Sequence, residues 1–139
     1  MEKFQLSENF ISKYKRKKPP FGFNGLGELV YMRTYSRIKK NGKNERWWET
    51  IQRVVEGTYS MQMNWINQHQ LGWNPWQAQK SAQDMYDRIF NMKFLPPGRG
   101  LWAMGTPIQK KRIFMLLLII VHLYQQKHLK KITQNHFVF

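Results

Sequence analysis

The residues best placed to touch a charged ligand lie in one run, Pro96-Pro97-Gly98-Arg99-Gly100. An arginine between two glycines presents a planar, permanently charged donor on backbone that can come close to a phosphate. Pro-Pro-Gly is equally a plain turn, and the chemistry of the residues leaves both readings standing. A second cluster, Lys15-Arg16-Lys17-Lys18, reads first as the basic end of a helix complementing its dipole, with a phosphate-binding or nuclear-localisation role as the alternative. Gly22, Gly25 and Gly27 could cradle a phosphate, but their spacing is neither that of a P-loop nor that of a dinucleotide fingerprint. A tight turn is the plainer reading. The chain has no cysteine, so it cannot by itself carry a disulfide, a zinc–thiolate site or any thiol or thiyl chemistry. No catalytic residue and no metal ligand set is expected.

The elements that must hold these residues are mostly helical. Ser7 is a candidate N-cap for a short amphipathic helix to about Lys17, with Phe10, Ile11 and Tyr14 on one face and Pro19-Pro20 ending it. Residues 29–37 are strand or first helical turns; so short a run does not decide. Asn41-Gly42-Lys43 is a turn. From Asn44 a longer helix is expected, with Trp47, Trp48, Ile51, Val54, Val55, Tyr59 and Met63 forming its stripe; Gly57 weakens it by about 1 kcal/mol without ending it. Asn74 caps a further helix that has Pro75 in its first turn, and Ala78, Ala82, Met85, Tyr86, Ile89 and Phe90 make its apolar face. These two helices should pair antiparallel. Pro96-Pro97 stops the second one, and residues 101–104 read as a buried strand.

The hydrophobic content of 42% and aromatic content of 15% argue against disorder. The formal charge of +15 favours phosphates, nucleic acid or anionic surfaces, yet no acidic residue follows Asp87 while Lys110, Lys111, Arg112, Lys127, Lys130 and Lys131 do, so the end of the chain inflates the figure. The first residues mix charge with isolated apolar positions and lack the apolar core of a signal peptide, which makes the cytoplasm the expected site.

Four blocks in order carry a resemblance: Phe21-Gly-Phe-Asn-Gly-Leu-Gly-Glu-Leu-Val-Tyr-Met-Arg-Thr-Tyr-Ser-Arg37, Trp48-Glu-Thr-Ile-Gln-Arg-Val-Val-Glu-Gly57, Ala82-Gln-Asp-Met-Tyr86 and Leu95-Pro-Pro-Gly-Arg-Gly-Leu-Trp-Ala-Met-Gly-Thr106. Together they resemble the N-terminal region of the adenosylcobalamin-dependent ribonucleoside-triphosphate reductases. The resemblance implies a mainly α fold: a helical N-terminal region over 1–95 that ends, at 96–106, on the first strand of a ten-stranded α/β barrel. It also implies the replacement of a ribose 2′-hydroxyl by hydrogen in a ribonucleoside triphosphate, with adenosylcobalamin generating a cysteine thiyl radical and a cysteine pair supplying electrons.

Carried over residue by residue, the resemblance makes Arg99, flanked by Gly98 and Gly100, a candidate contact to substrate phosphate. It gives Arg33, Tyr35, Arg37, Trp48 and Pro97 structural parts. The family continues past the Gly-Thr into a strand bearing an Asn-Cys pair, whereas this chain runs on as Pro107-Ile-Gln-Lys-Lys-Arg-Ile-Phe-Met-Leu-Leu-Leu-Ile-Ile-Val121. Residues 107–139 are therefore expected to be a non-homologous, out-of-frame tail, with a genuine helix over 113–129 as the alternative. The chain is read as a reductase fragment, inactive alone and binding no adenosylcobalamin itself, with an intact reductase as a conceivable partner. A small basic module for nucleic acid or membrane surface is the alternative function, and no specific partner of that kind is favoured.

Overall fold

The computed structural model describes residues 2–108, and among them all regular structure is helical. The mainly α expectation holds there. The expected tail, 107–139, lies outside the described residues from 109 onward.

Helix α1, Glu8–Lys15, starts behind Ser7, whose carbonyl accepts from Phe10 N and Ile11 N. The Ser7 side chain makes no capping bond; its backbone N–H instead donates to Gln79 Oε1 at 2.9 Å and so ties the start of the chain to a later helix. Ile11 and Tyr14 are the buried positions of α1, three apart as one helical face requires.

Helix α2, Leu26–Thr34, settles the open reading of residues 29–37, and a short 3₁₀ turn, Phe23–Gly25, leads into it. The stretch expected to be irregular turn is therefore half helix. Tyr31 is its buried residue, while Leu26, Leu29 and Val30 on another face stay exposed.

Helix α3, Trp47–Gln68, runs unbroken through Gly57, and its first backbone donor is met from Arg46 N–H to Glu49 Oε2 at 2.8 Å. Helix α4, Pro75–Phe90, is capped as the sequence predicts: Asn74 Oδ1 accepts from Trp76 N and Gln77 N, both at 3.2 Å. The two helices run antiparallel. Trp47 Nε1 donates to Phe90 O at 3.1 Å, Tyr86 Oη to Trp48 O at 2.9 Å, and Tyr59 Oη meets Ser81 Oγ at 2.6 Å, so ascending positions on one face descending positions on the other. Between them lie Ile51, Val55, Ala82, Met85 and Ile89, all but sealed from solvent. Of these, Ile51, Val55, Met85 and Ile89 each contribute about 1.5–3 kcal/mol by leaving water.

Helix α1 closes the core with aromatic edges: Tyr14 meets Tyr86 at 4.8 Å and Phe90 at 5.0 Å between ring centroids. Tyr14 Oη donates to Asp87 Oδ1 at 2.5 Å.

Residues 101–104 correct the sequence reading. They belong not to a strand but to helix α5, Gly98–Ala103, with only Met104 turning extended. Pro97 has an extended ψ of 148° and its carbonyl accepts from Gly100 N at 2.8 Å and Leu101 N at 3.1 Å, which starts the helix as soon as the proline is passed. Burial follows helical spacing as well: Leu101 and Met104 face inward against Val54, and Trp102 faces out. Four apolar residues carry no alternation that could tell these periods apart.

Candidate functional site

The candidate site is the seat of residues 96–106 on α3 and on the loop after α2. Tyr35 caps the end of α2, its N–H donating to Tyr31 O at 2.9 Å, and its ring turns toward α5. A Cβ at Gly98 would lie 2.9 Å from Tyr35 Cε1 and 3.0 Å from its hydroxyl oxygen, so the ring and the helix start touch only because residue 98 has no side chain. Gly105 is held more tightly. Its φ is +71°, and a Cβ there would sit 2.4 Å from Arg53 O, inside any tolerable contact.

Two arginines bind the far side of α5. Arg37 donates from Nη1 to Trp102 O at 3.1 Å and lies over the Trp102 ring at 4.7 Å. Arg53 grips harder. Its Nε and Nη2 meet both oxygens of Glu45 at 2.8 and 3.0 Å, Nη2 also donates to Leu101 O at 2.9 Å, and Nη1 donates to Met104 O. One guanidinium thus satisfies carbonyls at the C-terminal end of α5, where the helix dipole favours a cation, while its charge is balanced by a nearly buried carboxylate.

Glu45 is only 8% exposed and its surroundings are built around it. Thr50 Oγ1 donates to Glu45 Oε2 at 2.8 Å, and Tyr31 Oη, which lies 2.6 Å from Thr50 Oγ1, donates to Glu45 O at 3.1 Å. Glu45 N–H donates to Arg37 O at 2.7 Å, and Ser36 Oγ donates to Glu45 O at 2.7 Å. Burial raises the Tyr31 phenol above its ordinary pKa, outweighing the neighbouring Thr50 and Ser36 hydroxyls that lower it. Tyr31 therefore stays a neutral donor.

Of the residues singled out by sequence, Tyr35, Arg37, Pro97, Gly98 and Gly100 come together here. Gly100 is buried, its nearest outside neighbour being Pro96 Cβ at 3.5 Å from where a Cβ would lie. Arg99 takes no part in this packing: it is exposed, and its side chain makes no hydrogen bond or ion pair among the described residues. Arg33 is likewise exposed, in the last turn of α2. Trp48 stands apart, its carbonyl bonded to Tyr86 and its ring under the Lys15 ammonium at 5.4 Å. Arg53, Glu45 and Gly105 were missed. Arg53 sits beside an apolar stripe and reads as a solvated charge, and Glu45 lies in a loop eight residues earlier; only a pairing across that gap would have marked them.

The arrangement can position and present an arginine, and its one carboxylate, Glu45, is taken up by Arg53 and Thr50. Among the described residues no cluster of three His, Cys, Asp or Glu could hold a metal. His69, the one described histidine, shares its Nδ1 with Trp65 O and lies against the Trp65 ring. That donor set does not fit a cobalt corrin.

The profile of the ribonucleotide reductase alpha domain matches residues 6–106. A probable adenosylcobalamin-dependent ribonucleoside-triphosphate reductase of Dictyostelium discoideum is 48% identical over 139 residues, all of this chain and 18% of its own length. The adenosylcobalamin-dependent ribonucleoside-triphosphate reductase of Euglena gracilis is 52% identical over 118 residues, 84% of this chain and 16% of its own. Among solved structures, that of a B-12 dependent (class II) ribonucleotide reductase superposes with a TM-score of 0.64 at 34% identity, over 77% of this chain and 15% of that one. The chain thus spans less than a fifth of the length of the curated relatives it matches. The profile ends at residue 106, whereas the Dictyostelium alignment runs across the whole chain.

Proposed function

The chain belongs to the ribonucleotide reductase alpha-domain family, and from that premise we propose that it forms the N-terminal helical layer of an adenosylcobalamin-dependent ribonucleoside-triphosphate reductase. Its part is to seat residues 96–106 and to present Arg99 to the substrate triphosphate. The observation that carries this reading is the convergence of Tyr35, Arg37 and Arg53 on one short segment, with Gly98 and Gly105 removing every atom that would hold it off. Arg99, the cation of α5, is exposed and has no hydrogen-bond or ion-pair partner among the described residues.

Chemistry in such an enzyme divides cleanly. Bound elsewhere, adenosylcobalamin would supply the radical; this chain, without cysteine, contributes binding and orientation. A guanidinium suits that task because it stays charged at any working pH and its fork matches two phosphate oxygens. In this reading residues 1–95 are the helical layer, 96–106 lead into the barrel, and the assembled enzyme works in the cytoplasm. The basic nucleic-acid or membrane-surface module is not favoured, because the relatives are named as reductases.

Complementation tests the proposal. The Dictyostelium reductase, deleted of the region matched by this chain, is mixed with ribonucleoside triphosphate, adenosylcobalamin and a dithiol, with and without the chain. Deoxyribonucleotide should form only when both parts are present, and Arg99→Gln should raise KM for the triphosphate with little change in kcat. Restored turnover indifferent to Arg99 would remove that residue from the site, and failure of the folded chain to restore any turnover would overturn the proposal.

A further inference from the structure

A cleft of about 460 Å³ lies between the basic end of α1, the start of α2 and the start of α3, and none of its lining residues belongs to the 96–106 segment. Its volume falls in the range of about 300–1,000 Å³ typical of small-ligand sites. Lys15, Arg16, Lys17, Lys18 and Arg46 line it against a single carboxylate, Glu28. Two of these cations are already engaged: Lys15 pairs with Glu8, and the Lys17 ammonium rests 4.4 Å over the Tyr14 ring. Arg16, Lys18 and Arg46 make no ion pair among the described residues.

The remaining wall is aromatic, with Phe21, Trp47 and Trp48. Trp48 Nε1 is the one buried side-chain nitrogen or oxygen among the described residues with no hydrogen-bond partner. An indole N–H can only donate, as can every lysine and arginine here. The reachable donors of this wall are the cations Arg16, Lys18 and Arg46, which can only donate, so its composition suits an occupant rich in acceptors. Arg46, Trp47 and Trp48 are also the cap and first two residues of the 22-residue α3, whose dipole adds positive potential at the same place.

We propose that this cleft binds a polyphosphate anion, either free or as the tail of a nucleoside triphosphate. The phosphates lie among Arg16, Lys18 and Arg46, and the half-buried Phe21 ring is the surface open to a base. Convex basic surfaces attract long nucleic acid through diffuse charge; a concave site of the size of one small molecule selects a compact anion instead.

The test is titration of the full chain at about 0.15 M salt, where the screening length is about 8 Å and diffuse attraction is weak. Inorganic tripolyphosphate, ATP and adenosine are added separately, with calorimetry and tryptophan fluorescence as readouts. Tripolyphosphate and ATP should bind at one site per chain and perturb tryptophan emission, and adenosine should not. Tighter binding of ATP identifies a nucleotide as the source; equal binding identifies the phosphates alone. Arg16→Glu with Lys18→Glu should weaken binding about tenfold or more, whereas Lys40→Glu with Lys43→Glu, on the turn outside the cleft, should change it less than about twofold. Both pairs are exposed and spare the core, and circular dichroism checks each fold. Equal losses from the two pairs, unsaturable binding, or no binding by the folded chain would overturn the site.

Discussion

Replacing Arg53 by alanine removes the side chain that, among the described residues, holds α5 to α3 through charge. The wild-type side chain is 13% exposed and its partner Glu45 11%, so water cannot take over when the guanidinium goes. Glu45 would keep only Thr50 as a side-chain donor, and Leu101 O and Met104 O would lose theirs. Breaking a buried pair from one side costs about 3–5 kcal/mol, and the slight exposure of this pair places the expected loss near the lower end, about 3 kcal/mol. For a domain of this size each kcal/mol lowers Tm by about 4–8 °C, so the drop should be about 12–24 °C. Arg53→Lys keeps the charge but cannot reach both carboxylate oxygens and two carbonyls at once, and should lose about half as much. Chemical melts give the free energy, and amide exchange gives the place. Met104 N–H and Thr106 N–H, bonded to Gly100 O and Ala103 O, should lose protection before the α3–α4 core does. Glu45→Gln completes a double-mutant cycle, with a coupling of about 2 kcal/mol or more expected. A loss below about 1 kcal/mol in Arg53→Ala, or unchanged protection over 101–106, would refute the argument that this arginine holds the segment.

The other expectations rest on separate features. Gly105→Ala meets both a φ of +71° and a backbone oxygen at 2.4 Å, and should cost about 2 kcal/mol or more by urea melt; a neutral result would mean the turn is not seated on Arg53 as described. Alkali should destabilise the fold, because burial raises the Tyr14, Tyr31, Tyr59 and Tyr86 phenols, Tyr59 to about 12. A folded pKa above the unfolded value of 10.0 keeps the stabilisation whole below pH 10.0 and loses it as pH rises through 12; melts from pH 9 to 12 with phenolate absorbance should show this, and a flat profile would contradict it. Phe23, Leu26, Leu29 and Val30 expose an apolar face on one side of α2, so the chain should self-associate with concentration, and Leu26→Lys with Leu29→Lys should return it to monomer in sedimentation; a monomeric wild type would sink that expectation.

What the sequence reveals here depends on how far apart the interacting residues lie along the chain. The pairing of α3 with α4 was legible because each helix writes its own buried face: Ile51, Val55 and Tyr59 on one, Ala82, Met85 and Ile89 on the other, at helical spacing over many turns. The Asn74 cap was legible for the same reason, being a contact across three residues. Helix α5 was misread because its six residues are too few to show a period and its hydrogen bonding is set off by the very prolines that argue against helix. The grip on that segment was hidden altogether. Arg37 finds Trp102 across 65 residues and Arg53 finds Met104 across 51, and neither end carries a local mark of the other. Glycine is the partial exception. Gly98 was visible as punctuation and Gly105 was not singled out, and only the structure turns either into chemistry: one stands where the Tyr35 ring must pass, the other where the Arg53 carbonyl must. A residue without a side chain records the shape of its neighbour, not the neighbour's identity. Arg99 is the converse case, visible from its residue type and flanks as a candidate phosphate ligand, and left with no partner among the described residues to compete for its charge.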